Sequence, residues 1–197
     1  MPALVRPAAR GHIERMYSDR SLIPSEAVRL AALGSLALGP KPYPELAAEV
    51  RQFTARITGP SLDLVGPPIA LLKVEGLIVP LAGGGNEGPD DAAVMRITEA
   101  GRAEFERLMG AALRPPVNDL SKLALALKLR FLHLLAPGQR RIQAEAMLEM
   151  AEQELARLND LHRREGPPPG VFGRWLAHEI EQAEARLSWF RTLLAES

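Results

Sequence analysis

Apolar residues recur at helical spacing along most of the chain, and this pattern predicts a mostly α-helical protein. The first helix is expected just after Pro24, with Ser25 as its cap, and it is apolar around most of its circumference up to Leu36. The second is expected to begin at Pro44, because a missing N–H costs nothing in the first turn, and to run to about Phe53. Two consecutive short helices are therefore predicted at the start of the folded part.

A third helix and a β-hairpin are predicted next. Because proline fixes its own backbone and restricts the residue before it, this helix is expected to begin at Pro67 or Pro68 and to end near Gly76. The β-prone runs 77–81 and 93–97 flank a glycine-rich stretch and predict two strands joined by a long tip. Thr98 is expected to cap a fourth helix, which Pro115 and Pro116 follow.

The last third of the chain has the most regular periodicity. A helix is predicted over 119–135, and two longer helices follow, separated by the proline-rich turn 163–173. Their apolar positions recur at spacings of three and four residues, which is typical of helices that pack along a seam. The pattern predicts an antiparallel hairpin that also forms a dimer interface. The residues expected there are Leu148, Leu155, Leu158, Leu176, Ile180, Leu187 and Phe190.

Composition and charge narrow the functional classes. The 197 residues include no cysteine, and no apolar run is long enough to span a membrane, so a cytoplasmic protein without a membrane partner is expected. Net charge is zero, but residues 25–110 carry eight Lys and Arg against eleven Asp and Glu. Because Lys and Arg supply most of the non-specific affinity for DNA, this acidic balance weakens a simple DNA-binding interpretation.

The order of motifs resembles the PadR family of transcriptional regulators. The segments carrying the resemblance are Leu33-Gly34-Ser35-Leu36, Tyr43-Pro44-Glu45-Leu46, Glu75-Gly76-Leu77-Ile78 and Ile97-Thr98-Glu99-Ala100-Gly101, followed by the heptad-patterned helices. The resemblance implies a mostly α fold: a winged helix-turn-helix with a small β-hairpin wing and a C-terminal, coiled-coil-like dimerisation arm. It divides the chain into an N-terminal arm (1–24), a winged-helix domain (25–114) and a helical dimerisation domain (117–197). It also implies transcriptional regulation by a homodimer bound to double-stranded DNA.

The sequence departs from this family where DNA would be contacted. The stretch 66–72 has no polar side chain, although the family's third helix is expected to present basic or polar ones. The wing tip carries Glu87, Asp90 and Asp91. The remaining candidates for DNA contact are Lys41, Tyr43, Arg51, Arg56, Lys73 and Arg96, together with Arg6, Arg10, Arg15 and Arg20 of the arm.

Other functions receive less support from the residues. The run 83–88 lacks the Lys-Ser/Thr of a phosphate-binding loop, and the four histidines show no metal-ligand spacing, so no catalytic residue, metal or cofactor is expected. The alternative function is a winged helix that has lost duplex binding and recognises a partner protein or a small molecule. Phe172, Trp175 and Trp189 are either aromatic anchors of a dimer or, as the resemblance implies, part of a pocket for a flat aromatic ligand.

Overall fold

The computed structural model describes residues 20–59, 66–81, 93–165 and 170–197. Within these ranges the predicted fold class, mostly α with a small antiparallel sheet, is confirmed. Most of the predicted arm, the wing tip and the prolines at 167–169 lie outside the described residues. The elements are α1 (Pro24–Leu38), β1 (Lys41–Pro42), α2 (Tyr43–Thr58), α3 (Gly66–Val74), β2 (Ile78–Pro80), β3 (Val94–Ile97), α4 (Glu99–Met109), α5 (Asp119–Phe131), α6 (Pro137–Glu165) and α7 (Val171–Ala195).

Helix α1 is the centre of the core, and it begins one residue earlier than its predicted cap. Pro24 is the first helical residue, and the N–H of Ile23 donates to the carboxylate of Glu26 at 3.1 Å. Ser25 therefore lies inside the first turn and does not cap the helix. The reason is that Pro24 fits the first helical position without losing a hydrogen bond.

The three strands form one antiparallel sheet in the order β1-β3-β2. The predicted hairpin is confirmed, with Ile78 opposite Ile97. The sequence does not predict strand β1, because the residues around Pro42 indicate only a turn. Lys41 pairs with Met95 of β3, and a two-residue edge strand can contain proline because its outer side needs no ladder hydrogen bond.

The winged-helix order is completed by α3, the hairpin and α4. Helix α3 ends before Gly76, whose φ of 71° lets the chain turn into β2. The predicted cap of α4 is confirmed, since the Thr98 side chain accepts a hydrogen bond from the N–H of Gly101 at 3.0 Å. These two turns fix where the wing and α4 begin.

Helix α5 belongs to the same core as the winged helix. Leu123, Leu127 and Phe131 are buried with α1 and α2, and the ring of Phe131 meets that of Phe105 edge-on at 6.1 Å. The predicted domain boundary near Pro116 thus separates two stretches of sequence that pack together. The predicted helical domain shares its first helix with the winged-helix core.

Helices α6 and α7 form the predicted antiparallel hairpin. Met147, near the start of α6, is buried with Phe190 near the end of α7, whereas Leu158 of α6 is buried with Leu176 near the start of α7. No helix in the described ranges is long and apolar enough to cross a membrane.

Candidate nucleic-acid interface

Helix α2 places two cations at the surface. Leu46, Val50 and Thr54 recur every four residues and are buried, which directs one side of the helix into the core. Arg51 and Arg56 lie on the exposed part of the helix, as the sequence predicts for residues that contact phosphates. Both guanidinium groups are therefore accessible to an anionic partner.

Helix α3 presents an apolar face to solvent. Ile69 and Leu72 are fully buried, whereas Leu71 is 50% exposed and Val74 is 83% exposed. Lys73, the only charged residue of the helix, is partly buried. The exposed face of α3 is thus apolar, as the sequence predicts, whereas the family pattern has basic or polar side chains there.

The wing adds one cation. Along β3, Met95 and Ile97 point into the core, and Arg96 between them is exposed because successive side chains in a strand alternate. Arg96 pairs with Val79 of β2. The acidic residues predicted at the wing tip lie outside the described residues.

Lys41, one of the predicted DNA contacts, has contacts within the protein. The ammonium group of Lys41 donates to Glu49 at 2.5 Å and to Ser35 at 2.9 Å, and Glu49 also accepts from Arg130 at 2.6 Å. Burial acts to raise the pKa of Glu49, but hydrogen bonds from Lys41 and Ser35 and the nearby positive charges outweigh it and lower the pKa. Lys41 is therefore engaged within the protein, where it shares the Glu49 carboxylate with Arg130.

Tyr43, another of the predicted DNA contacts, also has contacts within the protein. Its ring is partly buried against the core, and its N–H donates to the carbonyl of Ala93 at 3.1 Å, joining the start of α2 to the wing.

An ion pair that the sequence does not reveal holds the acidic residue that follows α3. Arg29 of α1 binds both carboxylate oxygens of Glu75, at 2.9 and 2.6 Å, and also contacts Glu104 of α4. The hydrogen bonds from Arg29 are the main cause that lowers the pKa of Glu75. The acid that directly follows α3 is therefore held by a cation. Arg29 and Glu75 are 46 residues apart, so no local pattern could have paired them.

The predicted dimer residues lie mostly in the seam between α6 and α7 of one chain. Leu158, Leu176, Leu187 and Phe190 are buried there without a second subunit, whereas Leu148, Leu155 and Ile180 keep partial exposure. The heptad spacing is accounted for by this internal hairpin.

The exposed aromatic residues are at the two ends of α7. Trp175 is 49% exposed and Trp189 is 51% exposed. The ring of Phe172 lies 5.5 Å from that of Trp175, at an angle of 31°. In a single chain these rings form a surface and not a closed pocket.

A cavity of about 170 Å³ lies elsewhere, between residues 21–24, the linker after α4 and the start of α5. Its apolar walls include Ile23, Leu120 and Ala124, and its polar lining residues are Ser21, Arg114, Asn118 and Ser121. Within the described part of the chain, no three His, Asp or Glu side chains are grouped so that they could hold a metal ion.

Comparisons with known proteins identify a family. The profile of the family described as "Putative AphA-like transcriptional regulator" matches residues 17–194. A comparison with curated proteins yields no match. Among solved structures, Bacillus subtilis PadR in complex with operator DNA is similar at 19% identity and a TM-score of 0.35, covering 85% of this chain and 97% of that one.

Two further structures of the Bacillus subtilis protein show the same degree of similarity. The complex with p-coumaric acid has 18% identity and a TM-score of 0.34, covering 86% of this chain and 98% of that one. Another crystal structure of PadR has 17% identity and a TM-score of 0.37, covering 89% of this chain and 97% of that one. By the match over residues 17–194, the chain belongs to the AphA-like family of transcriptional regulators.

Proposed function

We propose that this chain binds double-stranded DNA as a homodimer and thereby regulates transcription. The observation that carries the proposal is the set of exposed cations on the helix before α3 and on β3 of the wing: Arg51, Arg56 and Arg96. In a helix-turn-helix the second helix lies in the major groove, and residues flanking it reach the phosphates. The family of transcriptional regulators to which the chain belongs agrees with this use.

The small number of exposed cations determines the kind of complex we expect. Each Lys or Arg that neutralises a phosphate releases counterions, so affinity falls with salt in proportion to the number of phosphates bound. Lys41 contacts Glu49 and Lys73 is partly buried, which leaves Arg51, Arg56 and Arg96 as the exposed candidates on these elements. A dimer doubles that number, and this favours dimeric over monomeric binding.

Fluorescence anisotropy with a labelled random-sequence duplex at two salt concentrations tests the proposal. Changing Arg51, Arg56 or Arg96 to Ala should weaken binding on all sequences and lower the salt slope by about one unit for each phosphate that is no longer neutralised. Lys122→Ala is the matched control, because Lys122 is an exposed cation on α5, outside the candidate interface. Equally weakened binding in the control and the three variants, or no duplex binding by the unmodified protein, would contradict the proposal.

Sensing of a small molecule is a second candidate function, favoured by the cavity beside α5. A small aromatic acid combines an apolar ring with an anionic group, and the cavity walls combine apolar side chains with polar ones that include Arg114 and Asn118. The alternative place for such a ligand is between Trp175 or Trp189 and a second subunit.

Titration of benzoic and cinnamic acids, followed by tryptophan fluorescence and calorimetry, separates these places. Binding beside α7 would quench the tryptophans. Binding in the cavity would be blocked by Ala112→Leu, which fills space at an exposed cavity wall. Absence of heat with either acid would remove the support for sensing of this class of ligand.

A further inference from the structure

Helix α3 has a single polar side chain. Its sequence is Gly-Pro-Pro-Ile-Ala-Leu-Leu-Lys-Val, so Lys73 is its only residue with a side-chain hydrogen-bond donor. Bases are usually distinguished in the major groove by Arg, Lys, Asn or Gln, which bind the polar atoms of the base edges. If α3 lies in the groove, most of its contacts with bases must be apolar.

The exposed side chains of α3 form one continuous face. Leu71 and Val74 are three residues apart and Ala70 and Val74 are four apart, so all three lie on neighbouring turns of the same side. Ile69 and Leu72 anchor the opposite side in the core, and the N–H of Leu77 donates to the carbonyl of Leu72 at 2.9 Å. The apolar face is therefore presented on a helix that is fixed at its C-terminal end.

Cations for phosphate contacts lie on the elements before and after this face. Helix α2 exposes Arg51 and Arg56, and β3 exposes Arg96, although Glu45 of α2 and Glu99 of α4 are exposed as well. Glu75, directly after the helix, is held by Arg29 through two hydrogen bonds. Within the proposed duplex complex, the arginines would bind phosphates and the apolar face of α3 would meet the bases.

We propose that α3 recognises thymine in duplex DNA through contacts of Leu71 and Val74 with the C5-methyl group. The thymine methyl is the apolar group that an unmodified duplex presents in the major groove, and apolar side chains contact it. This inference rests on the proposed binding of duplex DNA and adds the class of sequence that is recognised: sites with thymines facing α3. The exposed arginines position the helix on the phosphates, and the methyl contacts select the bases.

Replacement of thymine by uracil tests the proposal, because uracil pairs in the same way but lacks the methyl group. Duplexes are first selected from a random library with the full chain, and each thymine of the selected site is then replaced in turn. At the positions facing α3 we expect about fourfold weaker binding for each methyl removed, from the usual transfer free energy of such a group.

A variant of α3 links this effect to the helix. In Leu71→Ala the penalty for uracil should shrink at one position, because the side chain that touched the methyl is shorter. Ile142→Ala, which shortens an exposed side chain of α6, should keep the full penalty. Circular dichroism and thermal unfolding should show both variants folded, since neither side chain is buried.

The outcomes separate this inference from the proposed function. If the chain selects a duplex but binds the uracil version equally well at every position, recognition of methyl groups is wrong and duplex binding stands. An unchanged uracil penalty in Leu71→Ala likewise contradicts the assignment to α3. If no duplex is bound at any sequence, both proposals fail, and the apolar face of α3 becomes a candidate surface for a partner protein.

Discussion

Lys128 is a charged residue whose apolar neighbours along the helix indicate a position in the core. Its side chain is fully buried on α5, and its ammonium group donates to the carbonyls of Met109 and Ala111 and to the side chain of Gln143 on α6. The carbonyl oxygens at the end of α4 carry the negative end of the helix dipole, so a cation is favourable there. Lys128 thus joins α4, α5 and α6 through one group.

The first prediction follows from the buried ammonium group. Burial lowers the pKa of Lys128 to about 8, so between about pH 8 and the ordinary pKa of 10.5 the unfolded chain binds a proton that the folded protein has released. The free energy of unfolding should therefore rise with pH in this window, by about 1 kcal/mol per pH unit from this group. Urea unfolding of the unmodified protein and of Lys128→Met at pH 8 and pH 10 measures it, and the rise should be smaller in the variant. An identical rise in both proteins would show that Lys128 is not the source.

Gly101 gives the second prediction, because α4 packs closely against the wing at this residue. A Cβ built on Gly101 would lie 2.1 Å from the carbonyl oxygen of Leu77 and 2.8 Å from a side-chain carbon of Ile97. Gly101→Ala should therefore lower the free energy of unfolding by about 2 kcal/mol or more, as for other overpacked sites. Gly138→Ala is the matched control, because nothing lies within 4 Å of its added Cβ in α6, and it should leave stability unchanged or slightly raise it. Chemical unfolding of the two variants checks the difference, and a neutral Gly101→Ala would contradict the close packing.

At the scale of elements, the sequence correctly predicts those features of the fold that depend on local patterns of residues. The hairpin, the cap at Thr98 and the α6–α7 pairing depend on neighbouring residues or on a regular period, and all are present. Strand β1 exists only because Lys41 meets the distant Met95, and the burial of α5 depends on its contacts with α1 and α2. Such long-range contacts leave no periodic signal.

The same reasoning applies to the candidate site. Arg51, Arg56 and Arg96 are exposed as predicted, because their positions follow from helix and strand periodicity. The ion pair that engages Lys41 is not predictable, because the sequence contains the charge of Lys41 but not the proximity of Glu49.

The third prediction concerns the ion pairs that join α1, α3 and α4. Arg29 contacts Glu75 and Glu104 and is largely buried, whereas Arg107 contacts Glu104 and Glu26 from a more exposed position. Arg29→Ala leaves Glu75 without its partner and Glu104 with Arg107 alone, and it should cost about 1 to 2 kcal/mol of unfolding free energy, whereas Arg107→Ala should cost less than about 1 kcal/mol. Thermal or urea unfolding at neutral pH compares them. A larger destabilisation in Arg107→Ala would reverse the assignment.

At the scale of the whole molecule, the α6–α7 hairpin has two kinds of apolar surface: one is buried between the two helices, and the other is exposed. The internal seam, including Leu176 and Leu187, is already buried in one chain, whereas Trp175 and Trp189 expose about half of their surface. Aromatic side chains are common anchors of protein interfaces, because they bury a large area at little entropic cost. If the chain forms the proposed dimer, these exposed rings are the more suitable contacts.

The last prediction tests whether the exposed tryptophans, and not the buried seam, form the dimer interface. Trp175→Ser combined with Trp189→Ser should convert the dimer into a folded monomer, because both half-exposed rings are removed. Some loss of stability is expected as well, because the Trp189 ring lies 5.2 Å from the buried ring of Phe190. Duplex affinity should fall with it, because the monomer has half the phosphate contacts. Leu176→Ser should instead destabilise the hairpin, since it places a hydroxyl group in a fully buried site. Light scattering coupled to size-exclusion chromatography gives the mass, and circular dichroism reports the fold. An unmodified protein that is monomeric at all concentrations, or a tryptophan double variant that keeps the dimer mass, would contradict an interface at these residues.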